Sequence, residues 1–322
     1  MKRLKQSTVN RIAICIPAYN AALYLGRLLK SVEAQEIPFD EVLVYNDAST
    51  DETAAIALKF NATVINGERN LGCSAGKNVL LNKTSCNYVH FHDADDELLP
   101  NFTHLAHQWI DNGNCPDVVL FDFEWRDQER KQLLSKSDFN DAALREDPIR
   151  YTILNQINPF CGLYKVDRLR EIGGYDVDAK ILYNEDVAFH CKLAIAGLTF
   201  AAEKEISIIN WRMNNSMSAS NQLKCAQAHY EVMKINADKL GNTYTKEIAY
   251  KLWANANALA SFSDWDTAKK SIKLATKLNG KFPPEQESRL FKLLAKIDPY
   301  FGLYLREQFI RFFKPDLRKK HR

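Results

Sequence analysis

Nowhere in this chain do apolar residues run to the length of about 18 that a membrane-crossing helix requires. The segment behind the basic N-terminus "MKRLKQSTVNR" is "IAICIPA", too short for the core of a secretory signal and without its small-residue cleavage pattern. A surplus of one charge is missing too. The net charge is +3 with acids and bases interspersed, which argues against a dedicated nucleic-acid binder. Paired cysteines are also lacking. Cys15, Cys73, Cys86, Cys115, Cys161, Cys191 and Cys225 are odd in number, scattered and without a C-x-x-C. That disfavours a disulfide framework or a zinc site and fits reduced thiols in a cytosol. Finally, no G-x-G-x-x-G follows the first apolar run, so a dinucleotide-binding turn is a poor reading. "GCSAGKN" (72–78) resembles a phosphate loop only superficially. It has three residues between its glycines rather than four, and Asn78 stands where Ser or Thr would hold magnesium.

What is present is a chain of 322 residues, 46% hydrophobic, with enough apolar material for one large domain or two. Over the first 120 residues, short β-branched runs alternate with helical patterns. "RIAICIP", "EVLVYND", "ATVING", "CNYVHFHD" and "DVVLFDFEW" read as strands. "AALYLGRLLKSVEAQ", "DETAAIALKF", "SAGKNVLLNK" and "LPNFTHLAHQWIDNG" read as the helices between them. The strands are apolar throughout, as in a parallel sheet covered on both faces. Residues 126–154 turn polar and irregular, which predicts an insertion or crossing loop. "EDVAFHCKLAIAGL" is helical again, and from Asn221 onward only helices are legible. This shift predicts a boundary near residue 220, with a sheet domain over 1–220 and a helical domain over 221–322.

In an open α/β sheet, ligands bind at the carboxyl ends of the strands. The residues there are "PAYN" (17–20), "NDAST" (46–50), "GERNLGCSAGKN" (67–78) and "HDADDE" (92–97). Asp93 and Asp95 can face one ligand, since side chains alternate along an extended chain. Paired carboxylates suit Mn²⁺ or Mg²⁺, which such a site shares with phosphate oxygens. The plain alternative is that Asp96 and Glu97 cap the helix that follows. Glu185 and Asp186 open a helix, where acids by themselves read as caps that complement the helix dipole. His90 and His92 share a strand face and read as packing or supporting residues.

"IPAYN", "VYNDASTDET", "NLGCSAGKN", "FHDADDELLP", "LYKVDRLREIGGYD" and "NEDVAFHCKLAIAGL", in this order, resemble the inverting family 2 glycosyltransferases over about residues 11–220. The resemblance implies a GT-A fold, a Rossmann-like and mostly parallel sheet with helices on both faces, here followed by an all-helical C-terminal domain. It implies transfer of a sugar from a nucleoside diphosphate sugar, a UDP-sugar for choice, to a hydroxyl of a glycan or lipid-linked glycan. Tyr19, with Pro17 and Asn20 beside it, matches the tyrosine lying against the nucleotide base, and Asp47 the aspartate that accepts a hydrogen bond from the base. Lys77 stands where the family usually has arginine, and Arg and Lys differ in planar recognition. Asp93 and Asp95 match the D-x-D that meets ribose and metal, and Asp186 matches the catalytic base. Asp96 and Glu185 are further candidates. Arg212, in "INWRMNNSMSAS" (209–220), falls where such enzymes often have a segment closing over the donor. A nucleotidyltransferase and a non-catalytic scaffold of the same fold are the rival readings.

The last helical stretch, "PYFGLYLREQFIRFF", sets Phe301, Leu305, Phe309 and Phe312 along one stripe. Behind it, Lys314, Arg318, Lys319, Lys320 and Arg322 stand against Asp316 alone. Two readings remain open: an interfacial helix on an anionic membrane surface, or a stripe packed on neighbouring helices with a frayed, solvated end. The expected location is the cytoplasm, with peripheral contact at the inner membrane face under the first reading.

Overall fold

The structure, a computed structural model, describes residues 10–212, 217–280, 283–284 and 288–321. Its strands in chain order are β1 (Ile12–Ala18), β2 (Glu41–Asn46), β3 (Thr63–Asn66), β4 (Tyr88–Phe91), β5 (Glu97–Leu98), β6 (Val118–Asp127), β7 (Leu133–Lys136), β8 (Gly162–Lys165) and β9 (Phe200–Arg212). Its first eight helices are α1 (Leu25–Glu33), α2 (Thr53–Lys59), α3 (Cys73–Lys83), α4 (Phe102–Asp111), α5 (Asp141–Glu146), α6 (Pro148–Leu154), α7 (Val166–Glu171) and α8 (Glu185–Ile195). After these come α9 (Met217–Ser220), α10 (Gln222–Leu240), α11 (Thr245–Ser261), α12 (Trp265–Asn279), α13 (Arg289–Ile297) and α14 (Pro299–Phe313). The chain divides into two compact units. One comprises Met1–Pro148, Ile157–Val177 and Lys192–Asn214; the other comprises Ile149–Gln156, Asp178–Cys191 and Asn215–Arg322. The second unit therefore takes in two short segments from ahead of residue 220.

The first unit is a single sheet in the order β3-β2-β1-β4-β8-β6-β9-β5, with β7 added beside β6. β1, β2, β3, β4, β6 and β9 run one way, and β5, β7 and β8 run against them. β1 lies between β2 and β4, and Ile12, Ile14 and Ile16 are sealed from solvent together with Ala13 and Cys15 between them. Burial on both faces explains why the strand shows no polar alternation. α1 buries Leu25, Leu28, Leu29 and Val32, the i, i+3, i+4, i+7 stripe of a helix laid on a sheet. All five strands and all four helices read from the first 120 residues are found, and the helices after Asn221 follow.

Residues 126–154 are not a loop. β6 continues to Asp127, β7 returns as its hairpin partner, and α5 and α6 follow. β7 is exposed at all four positions, so it had no reason to be apolar and gave no strand signal. α5 starts at a true cap, with Asn140 Oδ1 accepting the Ala143 N–H at 3.0 Å. Likewise, 209–212 of the stretch expected to close over the donor are the end of β9, paired with β6. Residues 213–216 of that stretch lie outside the described residues.

The second unit is a helical bundle with its own core, in which Trp253, Leu252, Ala256 and Leu259 meet Met233, Ile272 and Phe291. Ile153, Ile181, Val187 and Cys191, from the two inserted segments, join that core. α13 passes into α14 through Asp298 alone, whose Oδ1 accepts the Phe301 N–H at 2.8 Å. The crossing is tight: a side chain at Gly302 would come within 3.1 Å of the Ala295 backbone.

The phenylalanines of the α14 stripe stay largely in solvent, while Leu305 among them is half-buried. Phe309 is 54% and Phe312 78% exposed, and Phe301 is exposed as well. Nor is the end frayed at Arg318. Its guanidinium donates to both oxygens of buried Glu307, at 2.8 and 2.7 Å, while Arg311 donates to the same carboxylate at 2.9 Å.

Candidate functional site

Four chain segments meet where the parallel strands of the first unit end. Asn20, two residues past β1 and at φ 48°, donates its N–H to the Ser49 hydroxyl at 3.0 Å. The hydroxyl oxygen is the acceptor in that bond. In return, the Asn20 side-chain oxygen accepts the Thr50 N–H at 2.9 Å. Asp51 extends the seam, accepting the Ala22 and Thr53 N–H groups at 3.0 Å each, so it does serve the start of α2. Tyr19 stands above this seam 52% exposed, an aromatic face open to a flat ligand.

Asp47, at the end of β2, is buried, and its two oxygens accept the N–H groups of Leu71 and Gly72 at 2.8 Å each. It thereby fastens the loop leading into α3. Gly72 sits at φ +86°, which glycine adopts without strain. Gly76, one turn on, faces Tyr45 so closely that a Cβ would come within 2.8 Å of the ring and 3.2 Å of Pro17. Only glycine lets α3 approach this strand end, and that approach places Lys77.

Lys77 is 1% exposed, with its ammonium 3.8 Å from an Asp93 oxygen and 5.0 Å from the centroid of the Tyr175 ring. A buried ammonium is stable only with such partners. Tyr175 is held in turn by Asn78, whose side chain exchanges two hydrogen bonds with the Tyr175 backbone at 2.8 Å each. Asn78 is thus a structural clasp between α3 and the "GGYD" turn.

Asp93, Asp95 and Asp96 follow β4 in a tight turn closed by the Asp96 N–H on the Asp93 carbonyl at 3.2 Å. Burial pushes the Asp95 carboxyl up to about 6, and the neighbouring Asp93 charge adds to that. Asp96 is raised well above the usual range, by burial first and then by Asp95 and Asp93. The cap reading of Asp96 and Glu97 fails: α4 begins only at Phe102, with Asn101 at its N-cap position. Asp96 instead accepts the Asn210 amide at 2.8 and 3.0 Å and the Trp211 N–H at 2.9 Å, pinning the turn to β9. Glu97 accepts the Trp211 indole N–H at 3.0 Å. The turn's other brace is Arg27 of α1, which donates to the Asp95 carbonyl and, at 2.8 Å, to Gln128, while stacking 4.9 Å from Trp211. In sequence Arg27 looks like any cation on the polar side of an amphipathic helix, so nothing there could have singled it out.

Beneath the acids, His90 Nδ1 meets the Gly162 carbonyl at 2.9 Å and His90 Nε2 meets His92 Nδ1 at 2.9 Å. Both rings are fully buried. Burial holds His90 down at about 4 and His92 well below its ordinary value, so the pair is neutral and packs under the turn. Arg212, at the end of β9, lies 5.5 Å over the Trp125 ring.

Among the described residues no group of three His, Cys, Asp or Glu side chains is arranged to hold a metal ion. The Asp93–Asp95 pair fits a different case: an ion held by two carboxylates and completed by phosphate oxygens. The pair is electrostatically unfavourable as it stands, which is what a cation would relieve.

Glu185 and Asp186 belong to the second unit, in the first turn of α8. The Asp186 carbonyl meets His190 Nδ1 at 2.8 Å, so its backbone is fixed by the helix it opens. The turn before it carries Tyr183 at φ 75°, a conformation bulky residues rarely adopt. Asn184 Oδ1 meets His229 Nδ1 at 3.1 Å and ties that turn to α10.

The sequence profile described as "Glycosyl transferase family 2" matches residues 13–173, half of the chain. The chain belongs to glycosyl transferase family 2. The matched span carries the sheet's strand ends, Lys77 and the acidic turn, and the protein is a glycosyltransferase of the GT-A fold with a helical C-terminal region. Among curated relatives it is 32% identical over 105 residues to glycosyltransferase GlyA of Streptococcus pneumoniae, covering 31% of this chain but 15% of that one. It is 26% identical to an uncharacterised glycosyltransferase of Rickettsia typhi, covering 69% of this chain and 71% of the other. Among solved structures, Staphylococcus aureus TarS 1–349 in complex with UDP-GlcNAc superposes with a TM-score of 0.69 at 20% identity, covering 94% of this chain and 91% of that one. The mannosyltransferase PcManGT of Pyrobaculum calidifontis, in complex with GDP-Man and Mn²⁺, gives 0.59 at 18% identity, over 96% and 88%. These likenesses establish the fold.

Proposed function

We propose that this glycosyltransferase moves a sugar from a nucleoside diphosphate sugar, a UDP-sugar in the first instance, onto a hydroxyl of a glycan or lipid-linked glycan with inversion at the anomeric carbon. Its catalytic domain spans residues 1–220, and the helical domain spans 221–322. The observation that carries this reading is the acidic turn after β4. Asp93 and Asp95 meet there with buried Lys77 beside them, at the strand ends where the family binds its donor.

In this reading Tyr19 and Pro17 lie against the base. Asp47 and Asn20 hold the two loops that frame it, through the backbone bonds described above. Lys77 places a fixed positive charge near the diphosphate. Asp93 and Asp95 would hold Mn²⁺ or Mg²⁺, whose chemistry is charge neutralisation on the departing diphosphate. The neighbour solved with GDP-Man and Mn²⁺ supports use of a divalent ion. Asp96 shapes the turn, and Arg212, one residue past the Trp211 that Asp96 holds, meets phosphate. Asp186 accepts the proton of the attacking hydroxyl, and Glu185 adds negative charge beside it.

Release of nucleoside diphosphate from a panel of sugar nucleotides, with and without Mn²⁺, tests the reading. Asp95→Asn should lose metal-dependent donor binding. Asp186→Asn should bind donor normally and lose turnover by about 10³-fold, in the range of general base removal. Wild-type turnover by Asp186→Asn would eliminate it as base.

Among the described residues no helix is long and apolar enough to cross a membrane. We infer peripheral contact with the inner membrane face through α14, whose exposed aromatic face runs into the basic tail. Phe309→Asp with Phe312→Asp should then abolish flotation with anionic vesicles. Unchanged flotation would remove this contact.

A further inference from the structure

The second unit contains a cavity of ≈ 280 Å³ that the reading above does not use. One wall is the turn leading to Asp186, with Lys180 and Tyr183; a second is α10, with Lys224 and Tyr230; the third is α12, with Lys270. The lining carries three lysines against one acid, Glu231, and that acid lies 3.8 Å from Lys234. Lys224 leans over the Tyr183 ring at 5.5 Å, and Lys270 has one acid in electrostatic reach, Asp264, whose carboxylate is already held by Gln227 at 2.8 Å. Surface lysines ordinarily sit beside acids or point separately into water. Three converging on one concavity with an excess of two charges focus a positive potential there. Two tyrosine rings add amphipathic platforms on which a sugar ring can rest. The turn is not free to drift, because Asn184 is bonded to half-buried His229 on α10.

We propose that this cavity is an acceptor subsite for an anionic sugar unit, one bearing a phosphate or carboxylate. It rests on the glycosyltransferase reading, since Tyr183 both lines the cavity and stands three residues ahead of Asp186. The charged substituent meets Lys180, Lys224 and Lys270, and the ring lies on Tyr183 or Tyr230. A free hydroxyl of the same acceptor chain is then held close to the residue that takes its proton. Proximity bought this way raises turnover rather than merely binding. The volume admits one sugar residue with its substituent, so a polymer would be read one unit at a time.

Amine acylation of the full-length protein, read by mass spectrometry, tests the subsite directly. The probes are glucose 6-phosphate, glucuronate and glucose, with exposed Lys59 of the other unit as internal control. Acylation of Lys180, Lys224 and Lys270 should slow with at least one anionic probe, while glucose changes nothing. Protection by the phosphate alone identifies a phosphorylated acceptor, and protection by both anions a general anionic one. Lys224→Glu and Lys270→Glu, both at exposed positions, should each weaken the protection left at Lys180 by about tenfold, as expected for a lost hydrogen bond to a charged group. Equal protection by glucose, or none by either anion, overturns the proposal. Release of nucleoside diphosphate by the wild type without acceptor is scored separately, so failure of the subsite and failure of the transferase reading give different patterns.

Discussion

Asp95 offers the sharpest test of the acidic turn, because its two expected responses to pH run in opposite directions. Its carboxyl is pushed up to about 6 by burial and by Asp93. Against an ordinary aspartate near 3.9, a shift of about two units disfavours the ionised form by about 3 kcal/mol. A carboxyl raised in the folded state contributes stability that is whole below about pH 4 and is lost as the pH climbs through about 6. In chelator, wild type should therefore lose about 3 kcal/mol relative to Asp95→Asn between pH 4 and pH 7. The comparison with the variant matters, since His90 and His92 titrate in the same window with the opposite sign. A cation held by Asp93 and Asp95 reverses the dependence, because it binds the deprotonated form. At pH 5 only about a tenth of Asp95 is ionised, so Mn²⁺ affinity should be about tenfold weaker than at pH 7. Urea unfolding of both proteins at stepped pH gives the first quantity, and calorimetric Mn²⁺ titration gives the second. A stability difference independent of pH, or Mn²⁺ affinity flat from pH 5 to 7, would refute the reasoning.

Asp96→Ala strands the Asn210 amide and the Trp211 N–H and should cost roughly 2–4 kcal/mol in urea unfolding, whatever the metal content. Arg318→Ala removes two bonds from buried Glu307 and should cost about 2–3 kcal/mol. Burial would raise Glu307, but the Arg318 and Arg311 bonds hold it below its ordinary value, so that stability should fade as the pH falls through the folded-state value. His90 is held down at about 4 by burial, so its contribution is whole above about pH 6.5 and is lost as the pH falls towards 4. His90→Gln should flatten that part of the acid unfolding curve. Lys77→Arg should fail to restore a family-like donor site and should lower thermal stability, because the larger guanidinium must fit a space closed by Tyr175 and Asp93.

Much of the first unit was legible because its strands are buried on both faces and so are apolar end to end. β1 shows this directly, and β4 is as fully buried, with His90 its one polar residue. The same rule hid β7, an exposed edge strand with no burial to impose a pattern, and it blurred the end of β9, where polar Asn210 and Arg212 are tied into the sheet. The candidate residues at strand ends were readable for a topological reason. In an open parallel sheet every strand of one direction delivers its C-terminal loop to the same edge, so Asn20, Asp47 and Asp93 are neighbours whatever the loops contain.

Sequence alone thus determined the parallel strands of the sheet, their edge of polar loops, the helical second half and the residue types at the candidate site, since periodicity and chain order are local properties. Tertiary structure decided the roles that depend on partners distant in the chain. It gave Asp96 to β9 rather than to α4, turned Asn78 into a clasp on Tyr175, and enlisted Arg27 under Asp95. It also folded Arg318 back onto Glu307 and left the α14 aromatics in solvent. A charge or ring carries no mark of its partner in the sequence; burial and hydrogen-bond geometry assign that partner only once the chain is packed.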